Sequence, residues 1–75
     1  MKDLVEYIAR SLATNPEAVI VTETIEEGQV ILRLEVAPED KGKVIGRQGR
    51  VAQAMRVLVR VAAIKQGTRA LLEIV

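Results

Sequence analysis

An α+β fold, with a three-stranded sheet and helices packed on one face, is what this 75-residue sequence predicts, in the order α-β-β-α-α-β. Three observations predict it. Apolar residues recur at helical spacing near the amino end and again over residues 50–66. Two β-branched runs flank Glu26-Glu27-Gly28-Gln29, a hairpin turn with glycine at its demanding position. Gly46 and Gly49 then separate a short helical stretch from a long one. At this length the chain holds one core, so residues 1–75 are read as a single domain with no linker or repeat.

Each element has its own justification. Asp3 with Glu6 three residues later resembles a capping box, and Leu4, Val5, Ile8 and Leu12 supply the apolar stripe of a first helix. Asn15-Pro16 ends it, because the residue before proline is pushed out of the helical region. Residues 18–25 read as a strand. Residues 30–36 alternate, with Val30, Leu32, Leu34 and Val36 on one face and Ile31, Arg33 and Glu35 on the other, as in a half-buried antiparallel strand. Pro38-Glu39-Asp40 suits the first turn of a short helix over residues 38–45, the two acids sitting at its positive end. The long helix follows the glycines, Gly67 is placed to cap it, and residues 68–75 close the chain as a third strand.

Composition excludes several function classes. The chain has no cysteine, histidine, tryptophan or phenylalanine, and Tyr7 is its single aromatic residue. A disulfide framework, a Cys/His zinc site, a thiol nucleophile and a Ser-His-Asp relay are therefore excluded. No metal, cofactor or enzymatic constellation is expected. The first residues carry acids where a signal peptide would be continuously apolar, and no apolar run is long enough for a bilayer, so a soluble cytoplasmic protein with no membrane partner is expected.

Net charge is +1, but it is unevenly distributed. Residues 1–40 carry three basic and nine acidic side chains, a net of −6; residues 41–75 carry eight basic and one acidic, a net of +7. The basic half also holds Lys43-Val44-Ile45-Gly46-Arg47-Gln48-Gly49-Arg50. Two glycines around two polar residues make a loop of little bulk whose backbone can approach a ligand. A helix begins directly after it, so its free N–H groups sit at a positive dipole end suited to phosphate. Arg47 and Gln48 occupy the tip, Lys41, Lys43 and Arg50 surround the glycines, and Gln53 and Arg56 extend the track along the helix. Arg60, Lys65 and Arg69 are read as solvated.

A G-x-x-G alone usually marks a turn. Here it is preceded by Val44-Ile45, joins two helices, and lies within the α-β-β-α-α-β order. Together these residues resemble the V/I-I-G-x-x-G signature of the KH domain in its bacterial, type II form, over the whole chain; Ala52 stands where the wider signature has a larger aliphatic residue. The chain is most similar to the small single-KH-domain proteins of bacteria. That resemblance implies a loop that clamps about four nucleotides of single-stranded RNA, with bases against an aliphatic groove that includes Ile45. It further implies RNA chaperone or post-transcriptional activity, a link to cell-envelope growth and cell shape, self-association, and pairing with a larger Jag-type KH protein. A P-loop is excluded because no Ser or Thr follows the glycines to hold magnesium, and G-x-G-x-x-G is absent.

The long helix carries a second signal. At 100° per residue its apolar positions cover an arc of roughly 260°, where a surface helix needs little more than about 100°. Val57, Val61 and Ile64 are the candidate face for a homodimer. A protein-interaction module with weak or no RNA binding is the alternative reading.

Overall fold

The computed structural model describes residues 1–75 and has the expected element order. Helix α1 spans Lys2–Leu12, strands β1 and β2 span Ile20–Glu26 and Gln29–Glu35, helices α2 and α3 span Lys41–Ile45 and Arg50–Lys65, and β3 spans Arg69–Ile74. The sheet order is β1-β2-β3, with β2 antiparallel to β1 and parallel to β3. Alternation along β2 buries Val30, Leu32 and Leu34 against the helices, where Val21 and Leu72 join them from the edge strands. The helices contribute Val5, Ala9, Val44, Met55 and Val59 to the same core. On the opposite sheet face, Arg33 and Glu73 stand in register and form an exposed ion pair at 3.6 Å.

The hairpin closes with the two residues Glu27 and Gly28 at φ 51° and 75°. Positive φ at both central positions makes a type I′ turn, whose twist suits the flanking strands. At the end of α3, Gly67 has φ 70°, its N–H donates to the Ile64 carbonyl at 3.0 Å, and the Thr68 N–H donates to Ala63 at 2.9 Å. This is a Schellman cap, as the sequence predicts. No helix is long and apolar enough to cross a membrane.

Three details of the sequence reading need correction. Asp3 caps nothing: α1 starts two residues earlier than a box on Asp3 requires, with Met1 packed on the core, and Glu6 instead pairs with Lys2 at 3.7 Å and Arg10 at 3.0 Å. The first strand begins at Ile20 rather than residue 18, because Pro16–Ala18 forms a 3₁₀ turn closed by the Val19 N–H on the Pro16 carbonyl. The short helix divides into a 3₁₀ turn, Pro38–Asp40, and α2.

Asp40 does not act as a helix cap either. It is the one fully buried charged residue, and its two carboxylate oxygens accept the backbone N–H groups of Thr14 and Asn15, each at 2.9 Å. Helix α1 ends at Leu12, before the proline requires it, and these two amides are bound to Asp40. The Asn15 and Thr14 amides hold the Asp40 carboxyl below the usual aspartate range, against the opposing effect of burial and with help from Lys43. Because the folded value lies below the unfolded one, the unfolded chain takes up this proton first as pH falls. The stability Asp40 contributes is complete above about pH 4 and is lost as pH drops through the folded value. Thermal melts of wild type and Asp40→Asn across that range should therefore differ most near neutrality and converge in acid; a constant difference would contradict this account.

Candidate nucleic-acid interface

The turn between α2 and α3 is built by its glycines in two different ways. The Gly46 N–H closes α2 on the Gly42 carbonyl at 2.8 Å, and Gly46 then adopts φ 78°, ψ 172°. A Cβ here would lie 2.4 Å from Val51 Cγ2 and 2.9 Å from the Val51 nitrogen. Any other residue would collide with backbone as well as side chain. Gly49, at φ 74°, has nothing within 4 Å of its Cβ direction, so only its conformation calls for glycine. Between them Gln48 sits at φ 58°, ψ 24°, a left-handed conformation that costs an L-residue roughly 1–2 kcal/mol. The Gly49 N–H donates to Gly46 at 3.1 Å and Arg50 to the Arg47 carbonyl, which closes Arg47–Gly49 into a 3₁₀ turn.

Helix α3 starts directly from this turn with Gly49 as its N-cap, and no side chain caps it. The Arg50 N–H is taken by the Arg47 carbonyl, and the following first-turn amides point from the positive dipole end with no side-chain acceptor, as an anion seat requires. Arg47 and Gln48 are exposed at the tip. The Arg50 guanidinium donates to Gln48 Oε1 at 3.1 Å, orienting the Gln48 amide so that its NH₂ remains available. Val44 is fully buried and pins α2, while Ile45 beside it is 39% exposed and offers an aliphatic surface next to the loop. Lys41 lies exposed one helical turn before Ile45; Gln53 is exposed and Arg56 half-buried, about 5 and 9 Å along α3 from Arg50.

Lys43 is placed differently from the other cations. Its ammonium donates to Thr14 Oγ1 and lies 3.9 Å from Asp40 Oδ1. The sequence alone puts it on the rim of the loop, and the structure turns it toward Asp40 and Thr14 instead. An acid and a lysine three apart are the only local trace of it, since the other partners are 25 to 29 residues away.

The remaining cations of the basic half are unpaired. Ion pairs form only at Lys2, Arg10, Arg33 and Lys43. Lys41, Arg47, Arg50, Arg56, Arg60, Lys65 and Arg69 have no carboxylate partner. Along the outer side of α3, Val57 is 51% and Ile64 69% exposed, with Val61 between them. Leu58, absent from the sequence-based list of this face, is exposed beside them. No group of His, Cys, Asp and Glu side chains is arranged to hold a metal ion.

The family model described as KhpA/KhpB, KH domain, matches residues 2–74. Among curated proteins, the chain is 53% identical to a protein of Clostridium perfringens and 52% identical to one of Caldanaerobacter subterraneus subsp. tengcongensis, in each case over 75 residues and the full length of both chains. It is 49% identical to a protein of Treponema pallidum over 74 residues, 99% of this chain and 92% of that one. All three are named RNA-binding protein KhpA. No solved structure matches the chain. A match over nearly every residue, on a chain whose α-β-β-α-α-β order and glycine turn agree with it, places this protein in the KhpA/KhpB KH-domain family.

Proposed function

We propose that this chain is a non-enzymatic, cytoplasmic RNA-binding protein that holds the backbone of single-stranded RNA on residues 46–49. The observation that carries this reading is an uncapped helix start, reached through a glycine turn and surrounded by cations that no carboxylate neutralises. The names of the relatives support it. The loop and first-turn amides that no backbone carbonyl takes, together with the Arg47, Gln48 and Arg50 side chains, hold the phosphates, Lys41, Gln53 and Arg56 extend the track, and Ile45 provides an aliphatic contact for a base. The family resemblance extends this reading to an RNA chaperone or post-transcriptional regulator acting on cell-envelope growth and cell shape.

A loop variant tests it. Arg47→Asp with Gln48→Asp places two acids at the tip, and aspartate tolerates the left-handed conformation at position 48, so the fold should persist. Binding to a single-stranded oligouridine should be lost while the thermal midpoint changes little. Arg47→Gln alone should flatten the dependence of log Kd on log salt by roughly 0.7, the contribution of one phosphate contact on a single strand. A folded double variant that binds as wild type does would overturn the reading.

The exposed Val57, Leu58, Val61 and Ile64 support a second element, self-association through α3. Two linked loops would gain avidity without new contacts per loop. The same face would serve a larger Jag-type KH partner, a reading supported by a family model whose name covers both KhpA and KhpB. Light scattering should give a dimer for wild type and a monomer for Val57→Asp or Ile64→Asp. A monomeric wild type would count against the homodimer, and a dimer that takes up no RNA in cells would favour the interaction module alone.

A further inference from the structure

The buried carboxylate lies outside the contact set just described, yet it adjoins the element that carries the loop. Helix α2 has five residues, too few to hold its own conformation in water, and Val44 is its one buried side chain. A single apolar anchor leaves a short helix free to pivot. Asp40 immediately precedes it and supplies a second anchor: both oxygens are taken by the Thr14 and Asn15 amides, and Lys43, one turn on, reaches back to Asp40 and to the Thr14 hydroxyl. Position is passed on to the loop by the backbone bond from the Gly46 N–H to Gly42 inside α2.

We propose that Asp40 is the positioning residue of the phosphate-binding loop, clamping α2 to the turn at Thr14 and Asn15, and that Lys43 belongs to this clamp and not to the RNA contacts. The proposal rests on the RNA-binding reading above. Its chemistry demands a carboxylate. Asparagine at position 40 can accept one of the two amides but turns an NH₂ group toward the other, leaving a buried donor unsatisfied. Freed at that end, α2 pivots on Val44, and RNA must then order the loop as it binds, which lowers affinity without removing any cation from the strand.

The test measures binding of a fluorescent oligouridine 12-mer to folded protein at low temperature across a salt series. Asp40→Asn should weaken binding roughly tenfold, as expected for one unsatisfied buried donor, with an unchanged salt slope. The ¹⁵N resonances of Gly46 and Gly49 should shift. A residue that only stabilised the fold would lower the melting temperature and leave the affinity of folded protein, and those resonances, unmoved. Lys43→Gln should weaken binding with the slope retained, in contrast to Arg47→Gln. The two clamp changes combined should cost no more than Asp40→Asn alone, because they remove one unit.

Wild-type affinity in folded Asp40→Asn, beside a loop double variant that no longer binds, would overturn the clamp alone. A Lys43→Gln slope reduced as in Arg47→Gln would return Lys43 to the RNA backbone and overturn that half of the assignment. A loop double variant that still binds would overturn the RNA reading beneath both. If Asp40→Asn does not fold, Lys43→Gln and Thr14→Val, which deletes only the hydroxyl that Lys43 holds, carry the same measurement.

Discussion

The parallel register of β2 and β3, from Gln29 beside Arg69 to Leu34 beside Ile74, obliges the chain to travel back along the sheet between them. Seven residues of β2 cover about 23 Å at 3.3 Å each. Sixteen residues of α3 cover about 24 Å at 1.5 Å each. The helix is thus long enough to make the return alone, and its amino end must lie where β2 finishes. This length match places the glycine turn at one end of the domain and the Glu27-Gly28 hairpin at the other, where Gln29 and Arg69 meet. Glu26 and Glu27 sit beside the far end of α3, while the unpaired Arg47 and Arg50 sit at its start.

Those cations are not there for stability. Exposed ion pairs such as Arg33–Glu73 contribute little, about 0–1 kcal/mol, so leaving Arg47, Arg50 and Arg56 without partners forgoes almost nothing in the fold. Mutual repulsion among them is a small cost in water. Against a phosphate backbone the balance reverses, because each neutralised phosphate releases a condensed counterion. The left-handed Gln48 adds a second local cost at the same turn, as the proposed phosphate seat would carry.

Much of this arrangement is legible in the sequence, and the limits are physical. Strand β2 is readable because alternation has a period of two and one face is dry, so Val30, Leu32 and Leu34 declare themselves. The type I′ turn and the Gly67 cap are readable because they are local conformations that few residues besides glycine adopt. The glycine turn is readable as a pattern, but the different duties of Gly46 and Gly49 are not, since the Val51 methyl that excludes a Cβ at Gly46 is placed by α3 packing. Asp40 reads in the sequence as a helix-terminal charge because its partners, Thr14 and Asn15, are 26 and 25 residues earlier. Strand order is unreadable for a similar reason: periodicity reports which face is buried, not which strand lies alongside.

Helix α3 buries only part of its wide apolar arc within the domain, leaving Val57, Leu58, Val61 and Ile64 exposed. Its inner side is lined by Ala52, Met55, Val59 and Ala63, all nearly inaccessible. Alanine near each end and larger side chains between them bring the helix backbone close to its neighbours at both ends and fill the space in the middle. Val51, at the first turn of this helix, is the residue against which Gly46 closes, so the placement of α3 also decides how tight the turn must be. Gly46 and Val51 therefore constrain each other, and the loop they shape faces outward beside Arg47 and Arg50, which no carboxylate of the chain neutralises.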